Sequence, residues 1–72
     1  MFENKVVAVK SLHAGDTFRT FRHNRRSGVT RYSQWYTLVR EPDVHPGLGV
    51  ILDYAYGQSM VLAALADVEV QS

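Results

Sequence analysis

Arginine side chains are concentrated in one short segment of the chain, and their chemistry is the clearest functional signal in the sequence. Residues 19–32 hold five of the six arginines and no acidic residue. A guanidinium group keeps its charge at all ordinary pH values and binds a phosphate through two parallel hydrogen bonds. The segment therefore predicts a DNA- or RNA-binding surface made of Arg19, Arg22, Arg25, Arg26, Arg31 and Tyr32.

Aromatic residues and the distribution of charge support the same prediction. Phe21, Tyr32 and Tyr36 lie beside these arginines, at positions where their rings can stack on unpaired bases. Residues 1–40 contain all eight basic residues and two acidic ones, whereas residues 41–72 contain five acidic residues and no Lys or Arg. Such asymmetry between the two halves of a chain indicates an anionic partner.

Two other interpretations of the same residues stay open. A polar tip on a hairpin is often only a solvated loop, and like charges at a sheet edge discourage aggregation. The protein is alternatively a protein–protein interaction module that binds another protein or a second copy of itself. Exposed aromatic and Met side chains mark such interfaces, and the candidates are Tyr54, Tyr56 and Met60.

Catalytic and metal-binding patterns are missing from the sequence. It has no phosphate-binding glycine loop, no His-Glu-x-x-His pair and no nucleophile elbow, so we expect a protein that is not an enzyme and needs no cofactor. His13, His23 and His45 have no recognised ligand spacing, and no metal site is expected. The absence of cysteine fits a reducing compartment, and without a long apolar run we expect no membrane partner and a cytoplasmic protein.

Short strands separated by turns are predicted along the whole chain, from β-branched and aromatic residues punctuated by glycine and proline. In the third strand we expect Trp35, Thr37 and Val39 to face the core. Residues 41–49 contain two prolines and two glycines and predict irregular structure, while Gly57-Gln58 suits a hairpin turn. The predicted strands cover residues 5–12, 17–22, 29–40, 50–56, a segment from 59 that runs into a 3₁₀ turn at 64–67, and 68–70; a helix over 59–66 is the alternative there.

This order of elements resembles the small SH3-like β-barrel proteins found among actinobacteria and their phages. The likeness rests on Leu12-His13-Ala14-Gly15-Asp16 after the first strand, the aromatic-led strand Trp35-Tyr36-Thr37-Leu38-Val39, and a closing Val68-Glu69-Val70. It implies one all-β domain over residues 1–72, a five- to six-stranded SH3-like barrel. Barrels of this class bind proteins, RNA or DNA, so the fold by itself does not assign a function.

Overall fold

Antiparallel strands dominate the protein in the computed structural model, which describes residues 4–55 and 57–71. A 3₁₀ helix spans Val9–Ser11, and the described residues contain no α-helix. The part of the chain described also contains no helix long and apolar enough to cross a bilayer. The strands, numbered β1 to β9 in chain order, are Asn4–Ala8, Thr17–Arg19, Phe21–His23, Thr30–Tyr32, Tyr36–Thr37, Asp43–His45, Gly49–Ala55, Gln58–Leu62 and Asp67–Gln71.

Three antiparallel sheets are built from these strands. The largest has the order β1-β9-β2-β5, the second is the β3–β4 hairpin, and the third has the order β6-β7-β8. The chain passes from β2 to β3 through Thr20 alone, and the Ser33 N–H donates to the Thr20 carbonyl at 2.9 Å. The pairing therefore continues across this junction, and the hairpin extends directly from the largest sheet. The whole is flat, with extents of 35 × 34 × 20 Å.

The core is small and lies on one face of the largest sheet. Phe18 on β2 is fully buried and stacks on Tyr36 of β5, with 5.7 Å between ring centroids. Because a domain of this length buries only about 60% of its unfolded surface, each core side chain contributes a large share of the stability. The buried hydrophobic residues are Val9, Leu12, Phe18, Leu38, Val50, Leu52 and Val68.

The all-β prediction is confirmed, but the five- to six-stranded SH3-like barrel is not. Within residues 4–55 and 57–71 none of the three sheets closes on itself, and the strands are shorter and more numerous than predicted. The segment predicted as one strand over 17–22 is interrupted at Thr20, whose N–H bonds to the Ser33 hydroxyl at 2.9 Å. The hydroxyl replaces the Ser33 carbonyl as acceptor, so one bond of the backbone ladder is lost at Thr20 while the bond from the Ser33 N–H to the Thr20 carbonyl remains.

Other element predictions are partly wrong. The first strand ends at Ala8, and the 3₁₀ helix follows it at Val9–Ser11. Near residues 64–67 the chain forms only a turn, which is closed by a 2.9 Å hydrogen bond from the Ala66 N–H to the Ala63 carbonyl. The supposedly irregular 41–49 segment contains β6, because an edge strand next to β7 tolerates flanking prolines.

The third predicted strand, 29–40, turns the opposite set of side chains towards the core from the set predicted. Tyr36 and Leu38 turn towards the core, with Leu38 only 2% exposed, while Thr37 and Val39 are exposed and Trp35 is half-buried. Alternation along a strand shows which residues share a face but not which face is buried, so a shift of one residue inverts the assignment.

The hairpin predicted between the fourth and fifth strands is confirmed, but its turn comes one residue earlier than predicted. Gly57 has a φ of +75° and lies between β7 and β8, whereas Gln58 already belongs to β8 and pairs with Ala55. The predicted fourth strand, at 50–56, matches β7 over its described residues, with Val50 and Leu52 fully buried on one face. The polar segment 23–28 lies at the tip of the β3–β4 hairpin as predicted, except that His23 still belongs to β3, where it pairs with Thr30.

Gly49 provides a test of the β7–β8 packing. Its φ is +121°, and a side-chain carbon at this position would collide with the Leu62 carbonyl. We expect Gly49→Ala to lower the free energy of unfolding by about 2–3 kcal/mol. Gly47→Ala is the matched control, since Gly47 also has a positive φ, +79°, but has open space around it. It should cost only about 1 kcal/mol in urea denaturation; equal losses for both variants would contradict the close approach of Leu62.

Candidate nucleic-acid interface

The β3–β4 hairpin sorts its side chains onto two faces. Phe21 lies opposite Tyr32, Arg22 opposite Arg31, and His23 opposite Thr30. Since successive side chains of a strand point to opposite sides, Arg22 and Arg31 share one face, which we call the arginine face. The other four side chains share the second face, which we call the aromatic face.

Arg22 and Arg31 are direct cross-strand neighbours. The bonds from Asn24 N–H to the Val29 carbonyl and from Ser33 N–H to the Thr20 carbonyl flank them, so they occupy a hydrogen-bonded pair with Cα atoms about 5.5 Å apart. Both side chains are exposed, and no carboxylate among residues 4–55 and 57–71 lies within 4.0 Å of either. Like charges directly opposite each other destabilise a sheet. An anion bound between them would remove that penalty.

The hairpin tip holds two further arginines in a braced turn. The Asn24 side-chain oxygen accepts the Arg26 N–H at 2.9 Å, and the Gly28 N–H donates to the Asn24 carbonyl at 2.8 Å. Gly28 has a φ of +73°, a backbone conformation that suits glycine. The turn thus fixes the backbone of Arg25 and Arg26 while their side chains stay exposed.

Arg19 is separated from the other arginines and is already paired. Its Nε donates to Glu69 Oε2 at 2.7 Å, and its guanidinium carbon lies 3.8 Å from the Tyr32 ring centroid and 4.5 Å from that of Trp35. Both charged side chains are largely shielded, with 23% of Arg19 and 15% of Glu69 exposed. We call this arrangement, Arg19 with Glu69, Tyr32 and Trp35, the arginine stack.

The arginine stack lies on the face of the largest sheet opposite the core. Across three adjacent strands the register aligns Val6, Glu69 and Arg19, whereas their neighbours Phe18 and Val70 point to the core side. The aromatic face of the hairpin meets this outer sheet face, because Tyr32 contacts Arg19 and a cleft forms beside it. Its lining side chains are Val6, Phe21, His23, Thr30, Tyr32 and Glu69.

Comparisons with protein-family models, with curated proteins and with solved structures find no match to this chain.

The remaining candidate residues lie elsewhere. Tyr36 is half-buried between Phe18 and Tyr54, with 4.6 Å between its ring centroid and that of Tyr54, so its faces are not open to a base. Of the candidate protein interface, Tyr54 is held in this aromatic contact and Met60 packs against the core. Tyr56 lies outside the described residues.

Histidines and acids do not gather into a metal site in the described part of the chain. His13 contacts Glu41 at 3.2 Å and His45 contacts Asp43 at 2.8 Å, each as an isolated exposed pair. His23 instead belongs to the hairpin, where its Nδ1 lies 2.9 Å from the Thr30 hydroxyl oxygen.

Two residues of the site, Glu69 and Trp35, carry no recognisable signal in the sequence, and a third, Asn24, does carry one. Glu69 is fifty residues from Arg19 and reaches it only because β9 lies next to β2. Trp35, just before β5, joins the site because it lies on the side of the sheet opposite to the one predicted. Asn24 is the exception that could have been found, since an Asn two residues before the centre of a polar turn is the usual acceptor for the backbone N–H groups of that turn.

The pKa of the Glu69 carboxyl lies below its ordinary value. A hydrogen bond from Arg19 lowers it most, burial opposes this, and the charge of Arg19 and a bond from Asn4 lower it further. A carboxylate whose pKa is lowered by folding stabilises the protein above its unfolded pKa, about 4.3, and loses that contribution as the pH falls through the folded value.

We therefore expect the melting temperature to fall as the pH drops from about 5 towards 3. Glu69→Gln should lower the melting temperature at pH 7 and weaken this acid dependence. Glu41→Gln is the control, because its ion pair with His13 is largely exposed and contributes little. An acid profile of Glu69→Gln identical to that of the wild type would contradict the contact.

Proposed function

We propose that the protein binds nucleic acid through the arginine face and the tip of the β3–β4 hairpin. The observation that carries the proposal is the unpaired charge of this hairpin. Arg22 and Arg31 lie directly opposite each other, and no described carboxylate neutralises them. Charges on these edge strands also discourage aggregation, but arginines placed apart would do so without the cost to the sheet that a cross-strand pair carries.

The arrangement suits a chain of phosphates better than a single anion. The positive side chains line one open groove at the end of the molecule, together with His23, Asn24, Ser27 and Val29. Arg25 and Arg26 are positioned by the braced turn, and Arg22 and Arg31 continue the positive surface along the strands. A β-ribbon with arginines spaced in this way contacts several consecutive phosphates and gains affinity by releasing their counterions.

This function requires neither catalysis nor a cofactor. Recognition through fixed positive charge needs only the geometry of the hairpin, and we propose a non-enzymatic binding protein that acts in the cytoplasm, where nucleic acid is abundant. Arg19 is not among the phosphate contacts in this proposal. Its guanidinium already pairs with Glu69 and is covered by two aromatic rings.

Fluorescence anisotropy with short labelled DNA and RNA oligonucleotides tests the proposal. At about 20 mM salt we expect clear binding by the wild type and at least roughly tenfold weaker binding by the Arg25→Ala/Arg26→Ala variant. Lys10→Ala/Arg40→Ala is the matched control, because it removes two exposed positive charges outside the hairpin. No binding by the wild type would overturn the proposal, and so would an equal loss in the two variants.

A protein partner is the second candidate, and one observation favours it. The accessible surface is 5435 Å², compared with about 4500 Å² for a compact chain of this size. Large apolar side chains contribute to this surface, and Leu65, in the turn before β9, is 87% exposed. The exposed large hydrophobic residues are Val6, Val29, Tyr32, Val39, Val44, Leu48, Val61 and Leu65.

Self-association is the form of this second proposal that can be tested with the protein alone. Sedimentation over a wide range of concentrations should show a dimer or larger species that Leu65→Ser weakens. A monomer at every concentration would exclude self-association and leave the nucleic-acid proposal untouched.

A further inference from the structure

We propose that the cleft between the aromatic face of the hairpin and the outer face of the largest sheet binds an unpaired nucleobase. The partner is then single-stranded nucleic acid. This inference rests on the proposed function, because the arginine face must bring a phosphate backbone to the hairpin first. It adds a second contact of different chemistry on the opposite side of the same two strands.

The cleft has the size and walls that a flat heterocycle needs. Its volume is about 320 Å³, and its lining combines apolar and aromatic surface with a few polar groups, as small-molecule sites generally do. Phe21 and Tyr32 stand side by side in it, with ring centroids 6.3 Å apart and planes inclined by 48°. Tyr32 remains 51% exposed although it takes part in the arginine stack.

The arginine stack makes Tyr32 a fixed platform. Arg19 lies 3.8 Å from its ring centroid, and Glu69 holds Arg19 in place through a 2.7 Å hydrogen bond. A ring that is held on one side needs little ordering when a base stacks beside it, so more of the stacking energy is available for binding. Stacking of a base on an aromatic side chain contributes about 1–3 kcal/mol, with little dependence on the base.

The cleft offers a phosphate no unpaired positive charge. The Arg19–Glu69 pair beside it is neutral overall, whereas the arginine face on the other side of the hairpin attracts phosphate. The carboxylate keeps hydrogen-bonding capacity beyond its bonds to Arg19 and Asn4, and the imidazole of His23 keeps its Nε2 beyond the Nδ1 contact with Thr30. Both groups can form hydrogen bonds with the Watson–Crick edge of a base, which is accessible only when the base is unpaired.

The test compares a single strand with the duplex of the same sequence, in anisotropy titrations of the full chain. We expect the wild type to bind the single strand about tenfold more tightly than the duplex, consistent with one stacked base. Tyr32→Leu should weaken single-strand binding about tenfold and leave duplex binding unchanged. Tyr32→Phe is the matched control, because it keeps the ring and should keep the affinity.

Trp35 supplies a second readout that does not depend on affinity. It is the sole tryptophan of the chain, and Arg19 lies against its ring in the stack. Saturating single-stranded oligonucleotide should change Trp35 fluorescence in the wild type and in Tyr32→Phe, and duplex should change it much less.

The outcomes separate the two proposals. If no nucleic acid binds at about 20 mM salt, the proposed function itself fails. If single strand and duplex bind equally and Tyr32→Leu alters neither, the hairpin binds phosphates only and the base site is excluded. Tighter binding of the duplex, or a loss of affinity in Tyr32→Phe equal to that in Tyr32→Leu, would also overturn the inference.

Discussion

Replacing Arg22 and Arg31 together by glutamine is expected to weaken nucleic-acid binding roughly a hundredfold and, at the same time, to stabilise the folded protein. Each charge-assisted hydrogen bond to a phosphate contributes about 1.5–3 kcal/mol, so the loss of two accounts for the fall in affinity. The gain in stability follows from removing a repulsive cross-strand pair and should reach about 0.5–1 kcal/mol.

If Arg22 and Arg31 serve binding, their replacement lowers affinity and raises stability. If they serve the fold, their replacement lowers stability. Thermal denaturation and anisotropy of the same preparations give both quantities. The single variants Arg22→Gln and Arg31→Gln are the controls, since either one removes the repulsion but only one of the two phosphate contacts that this pair makes. A drop in the melting temperature of the double variant would show that these arginines stabilise the hairpin, which contradicts the account.

Phe18→Ala is expected to unfold the protein at room temperature. The side chain is fully buried at the centre of the largest sheet, and truncating a core phenylalanine costs about 3–5 kcal/mol. A core this small supplies a net stability of about the same size. Circular dichroism should therefore show the loss of the β-sheet signal.

Trp35→Ala is the informative comparison for Phe18→Ala. Trp35 is half-buried on the outer face of the sheet, where its ring contacts Arg19 at 4.5 Å. Such a contact contributes about 0.5–1 kcal/mol beyond the area it covers, so this variant should stay folded. A folded Phe18→Ala together with an unfolded Trp35→Ala would show that the opposite face of the sheet carries the core.

Local patterns in the sequence predict the turns and the sites of several strands. Gly57 and the polar run at 23–28 mark hairpin ends, because the preference of a residue for a turn depends on that residue and its immediate neighbours. The apolar and β-branched residues at the start of β7 likewise predict a buried strand from local sequence. Residues 21–32 of the arginine segment form one hairpin, while Arg19 belongs to β2, and the other four arginines line the open groove at the hairpin end.

Long-range contacts decide the features that the sequence does not predict. The 3₁₀ helix at Val9–Ser11 forms where the Val9 N–H bonds to the Ala66 carbonyl, a contact across most of the chain. The pairing of Arg19 with Glu69 likewise depends on β9 lying between β1 and β2. No property of residues 17–22 alone shows that one arginine of the segment is neutralised and the others are not.

The dependence of oligonucleotide affinity on salt tests the central claim most directly. If the four exposed arginines of the hairpin neutralise phosphates, a plot of log affinity against log salt for a single strand should have a slope of about −3. For Arg25→Ala/Arg26→Ala it should be about −1.5. Identical slopes for the two proteins, or an affinity of the wild type that salt does not change, would contradict recognition of phosphates by this hairpin.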